Sequence, residues 1–224
     1  ISYLQEFGFK GRVYPVNSAR DKVQGLTAYP SIEALPEAPD AAVIAVPGQG
    51  AVEAIEACAA KGVKAAVVMA SGFGELGAEG KAEEARLRKL ANAAGMRLVG
   101  PNSQGLANFG TGAVLSFSTM FIEAPPQDGP VACISQSGAM SVVPYGLLRE
   151  RGIGLRHVHA TGNDCDVTVS ELAAAVIQDP QVKLLLLYLE TLSEEAGEAF
   201  DPSLSKAEAS KRIDALQERT GRGR

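Results

Sequence analysis

Ser135-Gln136-Ser137-Gly138 is the stretch whose residue types are most ready for chemistry. Val131-Ala132-Cys133-Ile134 before it is an apolar run of strand type, and Ala139 to Arg151 after it has the composition of a helix. A strand that turns through Ser and Gly into a helix gathers backbone N–H groups and the positive end of the helix dipole at one point. Hydroxyls and a Gly there let an anion, often a phosphate, come close. An ordinary strand-to-helix turn with Ser137 as N-cap uses the same residues, and the stretch alone does not separate the two readings.

Comparable turns close other apolar runs: Val46-Pro47-Gly48, Ala70-Ser71-Gly72-Phe73-Gly74, Gly100-Pro101-Asn102-Ser103-Gln104-Gly105 and Thr161-Gly162-Asn163-Asp164. In an open parallel sheet, ligands sit beyond the carboxyl ends of the strands. Each turn taken singly reads as structural, but such turns repeated in register at one edge favour a site. The turns at Val46, Ala70 and Gly100 are expected to line one crevice, and those at Ser135 and Thr161 another. Glu190 ends the apolar run Leu184 to Leu189, where a carboxylate can orient a cationic or imidazole partner. The plainer reading makes it the first solvated residue after a strand. His157 and His159 alternate with apolar residues, one expected to face the core and the other a helix, both structural. Asp164 and Asp166 fit a turn and a helix cap better than a catalytic carboxylate pair. No Ser-His-Asp order, Cys-His pair or metal-ligand spacing stands out, so no metal is expected.

The elements that must carry these turns follow from periodicity. The chain has 224 residues, 46% of them hydrophobic, with 24 Gly and no Trp, enough for one large or two small α/β domains with a real core. A net charge of −5 argues against nucleic acid, and no apolar run is long enough for a membrane span. Cys58, Cys133 and Cys165 are scattered and read as reduced thiols in a cytoplasmic protein. No signal peptide is visible, and the true start is expected upstream of Ile1. Ser2 to Phe7 reads as the end of a helix, and Arg12 to Val16 as a short strand. Strands are expected at Ala41–Val46, Val63–Met69 and Met96–Val99, with helices at 49–61 and 79–94. Residues 108–130, rich in Gly, Ser, Phe and Pro, read as a connector. A second unit begins at Val131, with further strands at 155–159 and 183–188 and a helix at 167–178. Alternating strand, Gly-bearing turn and helix mean a parallel sheet between helices. The open edge of a second sheet of only three strands predicts association, including a homo-oligomer.

Gly11 to Asn17, Ala45-Val46-Pro47, Ser71-Gly72-Phe73, Gly100-Pro101-Asn102, Ser135-Gln136-Ser137-Gly138 and Gly162-Asn163-Asp164 occur in the order seen in nucleoside-diphosphate-forming acyl-CoA synthetases. From Ile1 to about Glu190 the chain resembles these relatives of the succinyl-CoA synthetase α subunit, a module that also occurs in some protein acetyltransferases. The resemblance implies a Rossmann-like CoA-binding domain (1–107), a connector (108–130) and a partial flavodoxin-like domain (131–190). It implies CoA contacts from Val46, Pro47, Ala70, Ser71, Gly72, Phe73 and Asn102. Ser135, Gln136, Ser137 and Gly138 would hold the phosphate of a phosphohistidine, and Glu190 would be the glutamate that orients that histidine. The implied reaction makes an acyl-phosphate, passes the phosphoryl group to the histidine and then to a nucleoside diphosphate, and delivers the acyl group to CoA. ATP or ADP and Mg belong to the complete enzyme, with an ATP-grasp subunit or domain as partner.

The sequence departs from that pattern. The family's first strand and Gly-rich loop are expected before Ile1, its active-site histidine after Glu190, and no His follows His159. Ser103 stands where some relatives have Cys. From Tyr188 on, the chain also resembles a small bacterial domain of unknown function. Residues 191–224 read as a tail of two short helices, with Ser205 and Glu208 as a capping box and Ala209, Ile213 and Leu216 as an apolar stripe. The overlap at 188–190 suggests a fusion. The expected function is a CoA-binding module not competent for the whole reaction alone. The alternatives are a CoA- or nucleotide-responsive scaffold whose tail docks a partner, and a chimera.

Overall fold

The computed structural model describes residues 1–188 and residue 215. The chain opens with helix α1 (Ser2–Glu6) and a small antiparallel hairpin, β1 (Lys22–Val23) with β2 (Leu26–Thr27). The strand expected over 12–16 does not form, and only Val16 makes a bridge, to Tyr29. Pro15 has no N–H to give a ladder, and its carbonyl accepts from Tyr29 instead.

The first unit then winds as β3 (Ala41–Ile44), α2 (Gln49–Lys61), β4 (Ala65–Val68), a short 3₁₀ turn (Gly74–Leu76), α3 (Ala78–Ala93) and β5 (Arg97–Val99). Its strands pair in parallel in the order β3-β4-β5. Ile55, Leu87, Met96 and Leu98 fill the core between sheet and helices, at most 1% exposed. Each such side chain removed from water contributes about 1.5–3 kcal/mol. Gly62 ends α2 in the left-handed conformation, returning its N–H to the Cys58 and Ala59 carbonyls.

The second unit holds β6 (Gly105–Asn108), β7 (Ala113–Ser116), α4 (Met120–Glu123), β8 (Val131–Ser135), α5 (Gly138–Glu150), β9 (Leu155–Ala160), α6 (Val169–Val176) and β10 (Leu184–Tyr188). Among the described residues its sheet has five strands, in the order β10-β8-β9-β6-β7, with β6 and β7 antiparallel. The stretch read as a connector therefore supplies β7, the end of β6 and α4, and the sheet is not a three-stranded one. The missed signal was the Phe109–Gly112 turn between two short apolar runs, a hairpin pattern.

One face of this sheet packs on α6 through Ala132, Ile134, Val169 and Ala173. The other packs on α5 through Cys133, Val142, Tyr145 and Val158. Helix α1 joins that second face. Tyr3 donates its hydroxyl to the Ser118 carbonyl at 2.7 Å, and its ring meets Phe7 and Phe121. Phe109, Phe121 and Tyr145 continue the cluster with centroids 5.0–5.6 Å apart. No helix among the described residues is long and apolar enough to cross a membrane.

Candidate functional site

The two sheets meet through the turn that leaves β9. Asn163 N–H donates to the Pro101 carbonyl, Cys165 N–H to Gly100 and Val167 N–H to Leu98, so residues 163–167 run along the free side of β5. Gly162 makes this approach feasible. Its φ is +67°, and a Cβ there would lie 2.3 Å from the Pro101 carbonyl oxygen. Asp166, with its side chain 3% exposed, accepts from Leu98 N–H at 2.8 Å, Arg97 Nε at 2.9 Å and Asn92 Nδ2 at 3.2 Å. It locks the two units together and is not a helix cap; Thr168 caps α6, in a capping box with Glu171. Ser103, buried beside this seam, donates to the Ala160 carbonyl at 2.6 Å and accepts from Gly105 N–H.

Above the seam lies a cleft of about 750 Å³. It takes Met69, Gly74 and Glu75 from the far end of β4, Asn102 to Gln104 from the turn after β5, Gln136 to Ala139 from the start of α5, and Gly162 and Asn163. The turns after β4 and β5, expected to line a crevice apart from those at Ser135 and Thr161, thus share one with them, and the turn at Val46 lies outside it. Lys81 on α3 and Glu84, which is buried, close one wall; Phe117 and Tyr188 also border it.

The expected phosphate turn is built as its residues suggest. Ser137 is the N-cap of α5, its hydroxyl accepting from Met140 N–H at 3.4 Å. Ser135 is fully buried and donates to the Ser137 carbonyl at 2.7 Å, so it shapes the turn from beneath and does not line the cleft. Gly138 and Ala139 do line it, and first-turn N–H groups have no intrahelical acceptor. Gly138 sits 3.2 Å, measured from an added Cβ, from the side chain of Gln104, so a larger residue would crowd the opening. The Oε1 atoms of Gln104 and Gln136 are buried without a hydrogen-bond partner. A half-turn of either amide presents its N–H₂ in place of the oxygen. Two amides and a helix N-terminus on one opening suit an anion.

The expected CoA residues are dispersed. Asn102, at φ +57°, lines the cleft. Val46 and Pro47 lie exposed before α2, and Ser71 and Gly72 lie exposed after β4, all outside this cleft. Ala70 and Phe73 belong to the first core, with Phe73 only 3% exposed. Their side chains serve packing, and the Ala70 carbonyl and both backbone groups of Phe73 are already hydrogen-bonded, to Asn102, Glu75 and Leu76. Glu190 lies outside the described residues, as do the tail's helices and apolar stripe.

Two polar features escaped the sequence. Glu75 and Glu84 fold back onto the turn at 72–74 and both meet Asn163. Hydrogen bonds from Gly72, Asn163 and Phe73 outweigh the opposing effect of burial and lower the Glu75 pKa. His157 and His159 point to the same side of the sheet, as residues two apart in a strand must, with Nδ1 and Nε2 3.2 Å apart. The expectation that they face opposite ways fails on that parity. Burial first, and then His157, push the His159 pKa down to about 3. Asp179, whose pKa is lowered to about 2 chiefly by the Arg156 hydrogen bond, also meets His157. This pair lies in the second unit and not in the cleft lining.

With this geometry in place, comparison with known proteins is informative. Residues 1–108 match a CoA binding domain, and residues 128–223 match a succinyl-CoA ligase like flavodoxin domain. The second match runs across the point at which the sequence suggested a fusion. The chain is 35% identical over 207 residues to the ADP-forming acetate–CoA ligase II of Archaeoglobus fulgidus, covering 92% of this chain and 30% of that protein. It is 35% identical over 208 residues to the α subunit of the ADP-forming acetate–CoA ligase II of Pyrococcus furiosus, covering 92% of this chain and 44% of the subunit. A solved structure of the dinucleotide forming acetyl-coenzyme A synthetase 1 of Ca. Korarchaeum cryptofilum, in complex with phosphate and ADP, is similar with a TM-score of 0.77. Its identity is 29%, covering 99% of this chain and 49% of that one. The chain spans less than half the length of each of these relatives.

Proposed function

We propose that this chain, which belongs to the nucleoside-diphosphate-forming acyl-CoA synthetases, is an α-type module that binds coenzyme A on its first unit and a phosphoryl group at the start of α5. The observation that carries the reading is the single cleft onto which Asn102 of the first unit and Gln136, Ser137 and Gly138 of the second both open. Acyl transfer to CoA through an acyl-phosphate requires the thiol and the phosphate to meet, and one shared cleft supplies that meeting place.

The residues divide the work by chemistry. Gly48 begins α2 and Gly77 begins α3 without any side-chain cap, so first-turn N–H groups of these two helices are left for the anionic parts of CoA. Gly138, Ala139 and the rotated amides of Gln104 and Gln136 donate to phosphoryl oxygens, with Lys81 adding positive charge on the opposite wall. Nucleotide binding, with ATP or ADP and Mg, falls to an ATP-grasp domain or subunit. Glu190 is the residue expected to orient a phosphorylated histidine.

Titration calorimetry of coenzyme A into the purified chain tests this reading, with Asn102→Ala as control. Micromolar binding that is weakened in the variant supports it. No binding by a wild-type chain shown to be folded by circular dichroism overturns it.

A further inference from the structure

The turn after β4 is only partly closed by its own residues. Glu75 reaches back to accept from the N–H groups of Gly72 and Phe73, and Glu84, nearly two turns into α3, accepts from Gly74 N–H at 2.9 Å. Both carboxylates then accept from one group, the side-chain amide nitrogen of Asn163, which reaches Glu84 Oε1 at 2.7 Å and Glu75 Oε2 beside it. Asn163 belongs to the second unit. Its backbone N–H is fixed on the Pro101 carbonyl at 2.9 Å, and its Oδ1 accepts from Asn102 Nδ2 at 3.4 Å. One side chain therefore spans both cleft-facing turns of the first unit.

The residue type suits the place. Two carboxylates converging on one point repel each other unless a donor lies between them. A primary amide carries two N–H groups on one nitrogen and can serve both, while its oxygen faces Asn102. The turn has little room to settle otherwise. A Cβ on Gly74 would lie 2.4–2.7 Å from the Glu84 carboxylate, and one on Gly80 would lie 1.9 Å from the Phe73 carbonyl oxygen. With Asn163 in place, both carboxylates are turned onto backbone N–H groups. Without it, they are left to swing toward an opening that must accept an anionic ligand.

We propose that Asn163 is a positioning residue for the turns at 71–75 and 100–102, so that the coenzyme A affinity of the first unit is set by a side chain of the second. This rests on the CoA reading above, and the test separates the two. The full chain is titrated with coenzyme A as wild type, as Asn163→Asp and as the double variant Asn163→Asp with Glu75→Gln. The single substitution keeps the shape, removes both donors and adds a third carboxylate. Binding is expected to weaken by about tenfold or more. In the double variant, the new amide at position 75 donates to the new carboxylate at position 163, and affinity is expected to return to within about threefold of wild type. Weakened binding that the second substitution does not restore overturns the positioning role. Wild-type binding with an unchanged Asn163→Asp overturns the positioning role alone; a wild type that does not bind overturns the CoA reading.

Amide hydrogen exchange tests the positioning role with no ligand present. In Asn163→Asp, or in Asn163→Ala if the first variant does not fold, exchange at Gly72, Phe73 and Gly74 is expected to speed up by about tenfold or more, while β8 and α5 stay protected. Unchanged exchange at those amides overturns the proposal.

Discussion

The four long helices among the described residues begin in two different ways. In the first unit, α2 and α3 start from Gly48 and Gly77, with no side-chain cap. In the second, α5 and α6 start from Ser137 and Thr168, whose hydroxyls accept from their own third residues. The turn before α5 is closed by Ser135 on Ser137 and by Ser137 on Met140, with Gln136 N–H on the Tyr188 carbonyl of the same unit. The turn before α3 is closed by Glu75 and Glu84 and, through both, by Asn163 from the other unit. The second unit thus satisfies its helix starts from within itself, whereas the turn before α3 also draws on the other unit. A Gly at an N-cap contributes less to helix stability than Ser, but it lets a ligand come within reach of the backbone.

The contrast breaks most visibly at the seam. Asp166→Ala leaves Leu98 N–H buried without its acceptor and Arg97 without its inner partner. A loss of about 2–3 kcal/mol is expected from an unsatisfied buried donor of this kind, read as a lower urea midpoint. Because the borrowed turn needs the seam, exchange at residues 72–74 should rise with it, whereas the turn at 135–138 should hold. Equal loosening of both turns would erase the distinction between them.

Gly162→Ala sharpens it further. The substitution meets both an unfavourable φ of +67° and a Cβ 2.3 Å from Pro101 oxygen. Gly72→Ala has a φ of +100° with open space around the new methyl. Thermal or urea unfolding is expected to cost about 2 kcal/mol or more for Gly162 and about 1 kcal/mol for Gly72. Near-equal costs would mean that close approach of the two units adds nothing at Gly162.

The strongest effect of acid falls on the second unit. His159, buried, has its pKa pushed down to about 3 from 6.5, first by burial and then by His157. Between those values the unfolded chain binds a proton that the folded chain refuses, so stability is intact above about pH 6.5 and falls as pH drops toward 3. The slope is at most about 1.4 kcal/mol per pH unit. Asp179, lowered from 3.8 to about 2, pulls the same way at the acid end. His159→Gln should flatten urea midpoints measured between pH 7 and pH 5. An unchanged slope would assign the acid sensitivity elsewhere.

The smallest effect tests the local half of the comparison. Ser137→Ala removes one cap hydrogen bond, about 1 kcal/mol, and should loosen the start of α5 while leaving residues 72–74 protected. Loosening at 72–74 would show that the two turns are coupled through the cleft.

Much of this was legible in the chain. Continuous apolar runs ended by Gly, Pro and Asn gave parallel strands and their helices, because periodicity and turn chemistry are local properties. The Ser135–Gly138 turn was readable for the same reason, since its side-chain hydrogen bonds, Ser135 to Ser137 and Met140 to Ser137, are local, although Gln136 N–H goes to the Tyr188 carbonyl. The Arg12–Val16 run misled because Pro15 interrupts a ladder, and the hairpin of β6 and β7 was missed because its strands are only four residues each. Parity alone puts His157 and His159 on one face. What only the tertiary structure decided is which distant turns share a cleft. Glu75 and Glu84 look like ordinary surface acids of a turn and a helix, and Asn163 like an ordinary turn residue. Their meeting depends on how residues 163–167 lie along β5, and that contact spans more than 60 positions of chain. Local patterns carry no record of such a separation, because the energy that fixes it is realised only when both units are folded and packed.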